Sequence, residues 1–519
     1  MLLSSGQIVR EELKAASLDA AGNGASASKA SAMETLSDRA RELAATLEGK
    51  SFSPVILAGI VRMVEWFVIL LVGCALYLGY LQAELGFSGA YAAIIAGIAT
   101  ASIIIFQILG LYTPYGMRSV GYQGLRLVAG WTALFGAMLA VGFFSNLGDD
   151  VSRLWVGLFF SIGLLALMVF RSGLIALVSH WTQQGRLMRH AAIVGSGGDA
   201  EQLIQALRAS STSDLNLLGF FDDRSADRSD ETCAGLPNLG SVSDLVAFAR
   251  IAPLDLVIVT LPVTAESRVL NMVRKLWVLP IDVRLSAHTT KLRFRPRAYS
   301  YIGNVPFFAV FDRPLADWDH VLKALLDRVI GAMMLIALAP VMLMTAVAVK
   351  LTSKGPILFK QKRFGFNNEP IEIYKFRSMY HDLCDANAAR VVTRDDPRVT
   401  PLGAFIRKTS LDELPQLFNV VFKGDLSLVG PRPHAVQGHL RGTPFEKVID
   451  GYFARHRVKP GITGWAQVNG WRGEMDTMEK FERRVEHDLY YIENWSILLD
   501  LQIIAMTPLA LLTKNENAY

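Results

Sequence analysis

The chain of 519 residues contains an acidic pair among basic residues that could perform phosphoryl transfer. Arg407, Lys408, Asp412 and Glu413 lie within seven residues of one another. A carboxylate that attacks phosphorus forms an acyl phosphate, and a divalent ion would neutralise the phosphate oxygens. We expect Arg407 and Ser410 to begin a helix, on which the two acids would point about 100° apart. Such acids would take separate roles rather than act as a symmetric pair.

The surrounding sequence decides between a catalytic site and an ordinary solvated turn, which is the alternative for an isolated Asp-Glu. Several segments rich in Gly, Pro and Arg accompany the pair, among them Lys375–Met379 and Gly424–Pro433. Arginine binds phosphate oxygens through two parallel hydrogen bonds. These segments favour the catalytic interpretation, with Arg377, Arg407 and Arg432 holding phosphate.

The composition indicates a membrane protein with sizeable soluble parts. The chain is 51% hydrophobic and 19% charged, with a mean hydropathy of +0.31, whereas soluble domains are about 25% charged. The net charge of +5 is too small to indicate a nucleic-acid partner. Three distant cysteines, Cys74, Cys233 and Cys384, exclude a disulfide scaffold and a cysteine-built zinc site.

Four stretches without charged residues or histidine are long enough to cross a bilayer, which takes about 17–25 residues. They are Trp66–Ala83, a stretch within Leu85–Met117, Leu127–Gly148 and Leu154–Phe170. Lys and Arg are concentrated before the first stretch, between the second and third, and after the fourth. This distribution places the N-terminus and everything after about residue 180 in the cytoplasm. We predict a cytoplasmic, partly disordered arm over 1–60 and four transmembrane helices over 61–180.

A fifth uncharged stretch, Val329–Val349, differs because Pro340 lies at its centre and both of its flanks are basic. Proline removes a helical hydrogen bond and kinks the helix. A spanning helix should show an asymmetry of basic residues between its flanks. We therefore predict a re-entrant, proline-kinked helix over 322–351, which enters and leaves by the same face.

Residues 185–312 show the pattern of a doubly wound, Rossmann-like α/β domain. The strand that begins at His190 runs into Gly195, Gly197 and Ala200, which match G-x-G-x-x-A, and a helix is expected from about Ala200. Further strands are expected at Leu217–Phe221 and Leu254–Leu261. Asp222 and Asp223 follow the first of these as ribose ligands would, but acids are common at strand ends. The pattern favours a structural or regulatory domain over a nucleotide-binding one.

The C-terminal part predicts further elements. Ile357–Gln361 and Ile371–Phe376 alternate like two strands of a hairpin. Trp495–Thr513 is apolar but is interrupted by Asp500 and Pro508, which indicates an interfacial helix rather than another span.

Five motifs in order resemble the bacterial sugar transferases, which are polyisoprenyl-phosphate hexose-1-phosphate transferases of the monotopic phosphoglycosyl transferase superfamily. The motifs are Gly355-Pro-Ile-Leu-Phe, Lys375-Phe-Arg-Ser-Met, Ser410-Leu-Asp-Glu-Leu-Pro-Gln, Gly424-Asp-Leu-Ser-Leu-Val-Gly-Pro-Arg-Pro and Pro460-Gly-Ile-Thr-Gly-Trp. The resemblance implies a catalytic domain over 318–519. The four spans and the Rossmann-like (CoA-binding-like) domain are similar to those of the large members of the family.

The resemblance also implies a reaction. Hexose-1-phosphate would pass from a UDP-sugar to undecaprenyl phosphate with release of UMP, by a ping-pong mechanism, in the first membrane step of exopolysaccharide or capsule synthesis. Asp412 would be the nucleophile of a phosphosugar-aspartyl intermediate. Glu413 would assist through a Mg²⁺ site shared with Asp412, or as a base. Similarity is greatest to the undecaprenyl-phosphate glucose phosphotransferases, and galactose stays an alternative.

By the same resemblance, phosphate and nucleotide contacts would fall to Lys375, Arg377, Arg407 and Arg432, with Asp488 as a further candidate. Pro340 would mark the kink of the re-entrant helix. The protein would lie in the bacterial inner membrane as a multi-pass protein, with its catalytic domain facing the cytoplasm. Its partners would be the two substrates and the lipid bilayer; a homodimer is left open.

The sequence fits two other function classes less well. A membrane-tethered nucleotide-sugar oxidoreductase would use the Gly195 loop and a Tyr-x-x-x-Lys pair, but neither Tyr299 nor Tyr301 has a lysine four residues later. A channel or transporter with a regulatory Rossmann domain would carry polar residues in its spans, and the four predicted spans are uniformly apolar. Asp317 and Asp319 fit a metal-binding Asp-x-Asp, but they precede a helix and are interpreted as its cap.

Overall fold

The structure is a computed structural model, and it describes residues 33, 36–47, 53–113, 120–144, 151–184, 187–210, 215–224, 231–261, 266–287, 300–302, 305–381, 396–433, 439–440, 443–444, 452–473 and 477–513. Most of the predicted arm lies outside these residues. The chain divides into two compact units. One consists of residues 49–189 and 214–216, and the other contains the remaining residues.

The first unit consists of long apolar helices. Their bounds are Pro54–Leu76, which continues through a π-helical turn at Tyr77–Leu81 into Gln82–Leu85, then Gly89–Ile108, Val120–Phe144 and Arg153–Gln183. Together with Asp317–Thr352 of the other unit, five described helices are long and apolar enough to cross a membrane. The chain is therefore a membrane protein, as predicted.

Aromatic side chains fill the core of this helical unit. Trp131, Trp155 and Phe159 are fully buried, and the Trp131 indole donates a hydrogen bond to the Phe160 carbonyl at 2.9 Å. Gly163 lies directly beneath Trp131, because a Cβ there would come within 2.7 Å of the indole ring. A larger residue at this position would separate the two helices.

The expectation of uniformly apolar helices is wrong at one end of this unit. Two helices are longer than the uncharged stretches of the sequence and contain a buried charged residue. The helix Pro54–Leu76 carries Glu65, and the helix Arg153–Gln183 carries Arg171. Arg171 Nη2 lies 2.9 Å from Glu65 Oε2, and the Tyr112 hydroxyl donates to the same oxygen at 2.6 Å. Because each charge has a partner, both can be buried without ending the helix.

The other unit contains an eight-stranded mixed sheet flanked by helices, which confirms an α/β domain. The strands are β1 Arg189–Val194, β2 Leu215–Phe221, β3 Thr232–Cys233, β4 Leu236–Gly240, β5 Leu256–Val259, β6 Asp282–Ser286, β7 Ser300–Ile302 and β8 Val305–Phe311. Their order is β3-β4-β2-β1-β5-β6-β8-β7. The central strands β1, β5 and β6 are parallel and apolar, whereas β8 and β7 add an antiparallel edge that the sequence pattern does not predict. The helices of this domain are Asp38–Thr46, Gly198–Ala209, Val242–Ile251 and Glu266–Leu276.

The same unit continues into the region that carries the acidic pair. Its helices are Asp317–Thr352, Pro401–Lys408, Gln416–Phe418, a π-helical turn at Asn419–Lys423, Trp465–Val468, Met478–Glu493 and Ile497–Thr513, with 3₁₀ turns at Phe366–Asn368, Leu411–Glu413 and Tyr452–Arg457. Its strands are β9 Leu358–Phe364, β10 Pro370–Phe376, β11 Ser427–Val429, β12 His439–Leu440, β13 Thr443–Pro444 and β14 Gly461–Thr463. The predicted hairpin is present as antiparallel β9 and β10, with a longer first strand.

The long helix Asp317–Thr352 packs on this region near both of its ends. It begins at Asp317, so the two acids interpreted as a cap lie in its first turn instead. Near the start, Lys323 Nζ lies 2.7 Å from the Asp500 carboxylate, which is buried in the C-terminal helix. Near the end, Val349 joins a core cluster that includes Phe376 and Ile406.

A stripe on this helix leaves its apolar side chains exposed: Leu325, Val329, Met333, Ile336, Leu343, Val347 and Leu351. These residues recur at spacings of three, four or seven, which keeps them close to one side of the helix. The helix therefore has one side on the protein and one apolar side free of it.

Candidate active site

The acidic pair lies on a short turn, and two features of the neighbouring chain fix where this turn begins. Thr400 caps the helix Pro401–Lys408 by accepting a hydrogen bond from the Gly403 amide at 2.9 Å. The helix ends before Ser410, which adopts a left-handed conformation with φ of 59°. The prediction that Arg407 and Ser410 begin a helix is therefore wrong: the Thr-Pro signal starts the helix earlier, and Ser410 follows its end.

Buried contacts hold this turn against the hairpin. Leu417 is buried in the core, and Leu411 and Leu414 pack against a neighbouring cluster. Asn419 is fully buried, accepts from the Tyr374 amide at 2.9 Å and donates to the Glu372 carbonyl at 2.7 Å. These contacts bring the turn beside the strand that carries Lys375.

Glu413 is held by two cations. Its Oε1 lies 2.9 Å from Lys375 Nζ and 2.6 Å from Arg432 Nη2. Burial raises the pKa of Glu413, but the charges of Arg432 and Lys375 outweigh burial and hold the pKa well below its ordinary value. Glu413 is therefore ionised, and Lys375 and Arg432 already occupy most of the positions at which its carboxylate can accept hydrogen bonds.

Asp412 is buried but differs from its neighbour. It is 8% exposed, and among the described residues none donates a hydrogen bond to its carboxylate. Burial raises its pKa to about 6, because the opposing charge of Lys375 does not fully compensate and Glu413 adds to the rise. Asp412 is thus a carboxylate with free lone pairs that is ionised at neutral pH.

Two further arginines lie close to the pair. Arg407 is half-buried, and its charge lowers the pKa of Asp412. Arg472, which the sequence reasoning missed, donates a hydrogen bond to the Ser410 hydroxyl. Burial lowers the pKa of Arg472, and Glu413 and Asp412 oppose that shift. In the sequence, Arg472 lies between Gly470 and Gly473, and in the structure both glycines have a positive φ.

Arg377 and Asp488 are both fully buried, but their hydrogen bonds go elsewhere. Arg377 Nη2 donates to the carbonyl and hydroxyl oxygens of Ser353, both at 2.8 Å, at the end of the long helix. Its Nε and Nη1 have no hydrogen-bond partner among the described residues, so donors are left for an anion. Asp488 accepts from Arg455, which in turn donates to the Arg432 carbonyl at 3.0 Å. Asp488 therefore lies behind Arg432, and a direct ligand role for Arg377 or Asp488 stays a prediction.

Comparisons with known proteins show which family the chain belongs to. A family model described as bacterial sugar transferase matches residues 318–514, and one described as CoA-binding domain matches residues 107–287. The chain is 36% identical over 416 residues to a UDP-glucose:undecaprenyl-phosphate glucose-1-phosphate transferase of Klebsiella pneumoniae, which covers 79% of this chain and 87% of that protein. The chain belongs to the bacterial sugar transferase family. The predicted family and its class of enzyme, the phosphoglycosyl transferases, are confirmed.

Two more relatives of this sugar transferase extend the comparison. It is 34% identical over 420 residues to a protein of the same description from Escherichia coli strain K12, with 79% of this chain and 87% of that protein covered. It is 42% identical over 335 residues to an undecaprenyl-phosphate glucose phosphotransferase of Komagataeibacter xylinus, with 63% and 59% covered. The chain thus spans less than two thirds of the Komagataeibacter protein.

The site of this transferase has more cations than anions. Lys375, Arg407, Arg432 and Arg472 lie near the two acids, and the partly buried Arg363 and the buried Arg484 both interact electrostatically with Arg432. Burial lowers the pKa of Arg363 and of Arg484 to about 10, so both stay charged at neutral pH. An excess of positive charge on partly buried side chains favours a polyanionic substrate such as a sugar nucleotide.

A divalent ion fits this site only in combination with substrate. In the described part of the chain no three His, Cys, Asp or Glu side chains come close enough to hold a metal. Mg²⁺ is commonly bound by one or two carboxylates together with substrate phosphates and water. Asp412 has lone pairs to offer, whereas Glu413 is already engaged by Lys375 and Arg432. The donor set is thus compatible with Mg²⁺.

The glycine turn of the α/β domain is filled by its own residues. Gly195 and Gly197 have φ of 101° and 103°, which only glycine adopts readily. The Ser196 hydroxyl donates to Asp222, which also accepts from the Arg224 amide at 3.1 Å. Asp223 accepts from the Val242 amide at 2.8 Å and pairs with Lys275. These contacts support the structural interpretation of the domain.

Proposed function

We propose that this transferase moves hexose-1-phosphate, most specifically glucose-1-phosphate, from a UDP-sugar to undecaprenyl phosphate. One observation carries the proposal: Glu413 is fixed by Lys375 and Arg432, while the adjacent buried Asp412 keeps its lone pairs free. Burying a carboxylate without hydrogen-bond donors costs free energy, and such perturbed groups are concentrated at functional sites. The names of the three relatives support glucose and the lipid phosphate as substrates, and galactose stays the alternative sugar.

The reaction proceeds in two displacements. In the first, an Asp412 oxygen forms a bond to the β-phosphorus of the UDP-sugar, the bond to the bridging oxygen breaks, and UMP leaves with that oxygen. In the second, a phosphate oxygen of undecaprenyl phosphate attacks the same phosphorus and Asp412 is released. Each step exchanges one P–O bond for another, so the covalent phosphosugar-aspartyl intermediate needs no further co-reactant.

The basic residues balance the charge of these steps. Lys375 and Arg432 both contact Glu413, so their position is fixed before a phosphate arrives. Arg407 acts electrostatically on Asp412, and Arg472 acts on Glu413, so both add positive charge near the transferred group. Such donors stabilise a transition state best when they need not reorganise. Glu413 thus acts by orienting two cations.

Mg²⁺ is part of the proposal. Asp412, with Glu413 as a second ligand, would hold it together with substrate phosphates, where it would neutralise charge on the phosphate oxygens.

The long helix is proposed to be re-entrant. Lys323 and Val349 would be about 39 Å apart along a straight helix, more than the ~30 Å hydrocarbon core of a bilayer. Yet both pack on the same region, against Asp500 and Phe376 respectively. One domain cannot contact a spanning helix on both sides of a membrane. The exposed apolar stripe would then face lipid, with four other helices as the spans and the catalytic domain on the cytoplasmic side of the bacterial inner membrane.

The reaction is tested with the purified full chain in detergent or nanodiscs. We expect UMP release from UDP-glucose in the presence of undecaprenyl phosphate and Mg²⁺, at a higher kcat/KM than from UDP-galactose. Without the lipid acceptor, the mass of the peptide that contains Asp412 should increase by one hexose phosphate. UMP release with no adduct at Asp412 would contradict the mechanism, and no UMP release from any UDP-sugar would contradict the function.

The topology is tested by cysteine labelling in a variant that lacks Cys74, Cys233 and Cys384. Labels beside Lys323 and at Lys354 should both react from the cytoplasmic side only. Replacing Pro340 with leucine should let part of the population span, because the uncharged helix would be straight and about 31 Å long. Pro508→Leu, in the C-terminal helix, is the matched control and should leave the labelling unchanged. Reaction of the Lys354 label from the periplasm in the unmodified protein would overturn the re-entrant arrangement.

A further inference from the structure

The turn Tyr452–Arg457 lies between the active site and the α/β sheet. Its last three residues, Arg455, His456 and Arg457, are buried and consecutive. Buried guanidinium groups are costly unless hydrogen bonds satisfy them, so the direction of each arginine is informative. Arg455 and Arg457 contact different domains.

Arg455 contacts the active site. Its guanidinium is held by the Asp488 carboxylate, and its Nη2 donates to the Arg432 carbonyl at 3.0 Å. The side chain of Arg432 then reaches Glu413, with Nη2 2.6 Å from Oε1. Because a guanidinium is a rigid planar fork, fixing Arg455 fixes the main chain from which Arg432 extends.

Arg457 contacts the α/β domain. Its Nη2 donates to the Asp312 carbonyl at 2.8 Å, and its guanidinium lies over the Phe311 ring, 5.3 Å from the centroid. Phe311 is the last residue of β8 and pairs with Val283 of β6, so this contact reaches the ordered sheet. A hydrogen bond combined with a cation–π contact fixes both the distance and the tilt of the arginine.

His456 keeps the two arginines apart without adding charge. Its Nδ1 contacts the Asn368 amide oxygen, and the ring is fully buried. Burial lowers the pKa of His456 well below its ordinary value, and the charges of Arg455 and of Arg250, in the α/β domain, lower it further. The imidazole is neutral, so the turn does not lose its geometry by titration near neutral pH.

We propose that the turn Tyr452–Arg457 is a positioning element, in which Arg455 orients Arg432 toward Glu413 and the α/β domain sets the place of Arg455 through Arg457. This inference rests on the proposed function of the acidic pair. It assigns the α/β domain a part in catalysis that requires no bound nucleotide. The connection runs from Phe311 and Asp312 to Arg457, along two residues of chain to Arg455, and then to Arg432.

The test compares Arg457→Met with Lys275→Met in the full-length protein. Methionine keeps part of the arginine stem but loses the hydrogen bond and the cation–π contact. Lys275 pairs with Asp223 in the same domain, away from the turn, so it is the matched control. We expect kcat for UMP release to fall about tenfold in Arg457→Met and by less than about twofold in Lys275→Met.

A double-mutant cycle separates positioning from a general loss of stability. If Arg457 acts through Arg432, its replacement should cost less than about twofold in an Arg432→Lys background, where the oriented fork is already lost. Independent effects would multiply, and a full tenfold loss in that background would overturn the inference.

Hydrogen exchange gives a readout that does not depend on turnover. We expect Arg457→Met to speed exchange at least about fivefold in peptides covering 427–433, while peptides covering β1 at Arg189–Val194 stay protected. Unchanged exchange at 427–433 together with an unchanged kcat would overturn the inference. If the unmodified protein releases no UMP but exchange at 427–433 still responds, the proposed function fails and the coupling of the turn to Arg432 stands.

Discussion

Two adjacent acidic pairs in this chain have opposite surroundings. Asp222 and Asp223 each accept hydrogen bonds from their own domain, and Asp223 is half-exposed. Asp412 is buried and Glu413 is partly buried, but only Glu413 is bound by cations. The hydrogen bonds of Asp222 and Asp223 hold a loop in place. Asp412 accepts no hydrogen bond from the described residues, so its lone pairs are available for a reaction. The state of the partners, not the acid pair itself, separates the two sites.

The largest predicted effect on activity comes from removing the Asp412 carboxylate. Asp412→Asn should lower UMP release by at least about 10³-fold, because the covalent route is lost while the side chain keeps its size. Asp222→Asn, the corresponding change in the other pair, should stay within about twofold. Circular dichroism on both variants checks that each is folded. Turnover within tenfold of the unmodified protein in Asp412→Asn would remove Asp412 from the mechanism.

Removing Mg²⁺ should have the next largest effect. Of the two proposed ligands, Glu413 is already bound by Lys375 and Arg432, so metal binding also needs Asp412 and the substrate phosphates. We expect EDTA to stop UMP release and added Mg²⁺ to restore it. The thermal midpoint of the substrate-free protein should hardly move, since the fold does not rely on the ion. Undiminished turnover after thorough chelation would exclude a catalytic metal.

Lys375→Met should reduce kcat/KM about 10- to 100-fold and change its pH dependence. Burial raises the pKa of Asp412 to about 6, and Lys375 is the strongest influence that opposes this rise. Asp412 attacks when ionised, so activity falls as the pH falls through the pKa. Losing Lys375 raises the pKa further and moves the acid limb of the profile to higher pH. Lys480→Met, an equal change of charge on the helix Met478–Glu493, should leave the limb in place.

Part of the fold and site can be predicted from sequence because its signals are local. The hairpin is indicated by alternating apolar residues, and the glycine turn is indicated by G-x-G-x-x-A. Arg472 could not be found in this way, because its contact with Ser410 joins residues far apart in the chain. The pairing of Glu65 with Arg171, which lie just outside two of the uncharged stretches, cannot be predicted for a similar reason. A charge ends an apolar pattern, and only tertiary structure shows that the two charges pair.

The smallest predicted effect is on local stability and comes from replacing Asp223. Asp223→Ala removes the acceptor of the Val242 amide, at the start of the helix Val242–Ile251, and should lower the local free energy of opening by about 1 kcal/mol. Hydrogen exchange at residues 242–245 measures this change. Lys275→Ala removes only the exposed ion pair and should cost less than about 0.5 kcal/mol. Transfer should be unchanged in both variants. A loss of transfer in a folded Asp223→Ala protein would mean that the glycine turn binds a ligand that the reaction needs, and the contrast between the two pairs would fail.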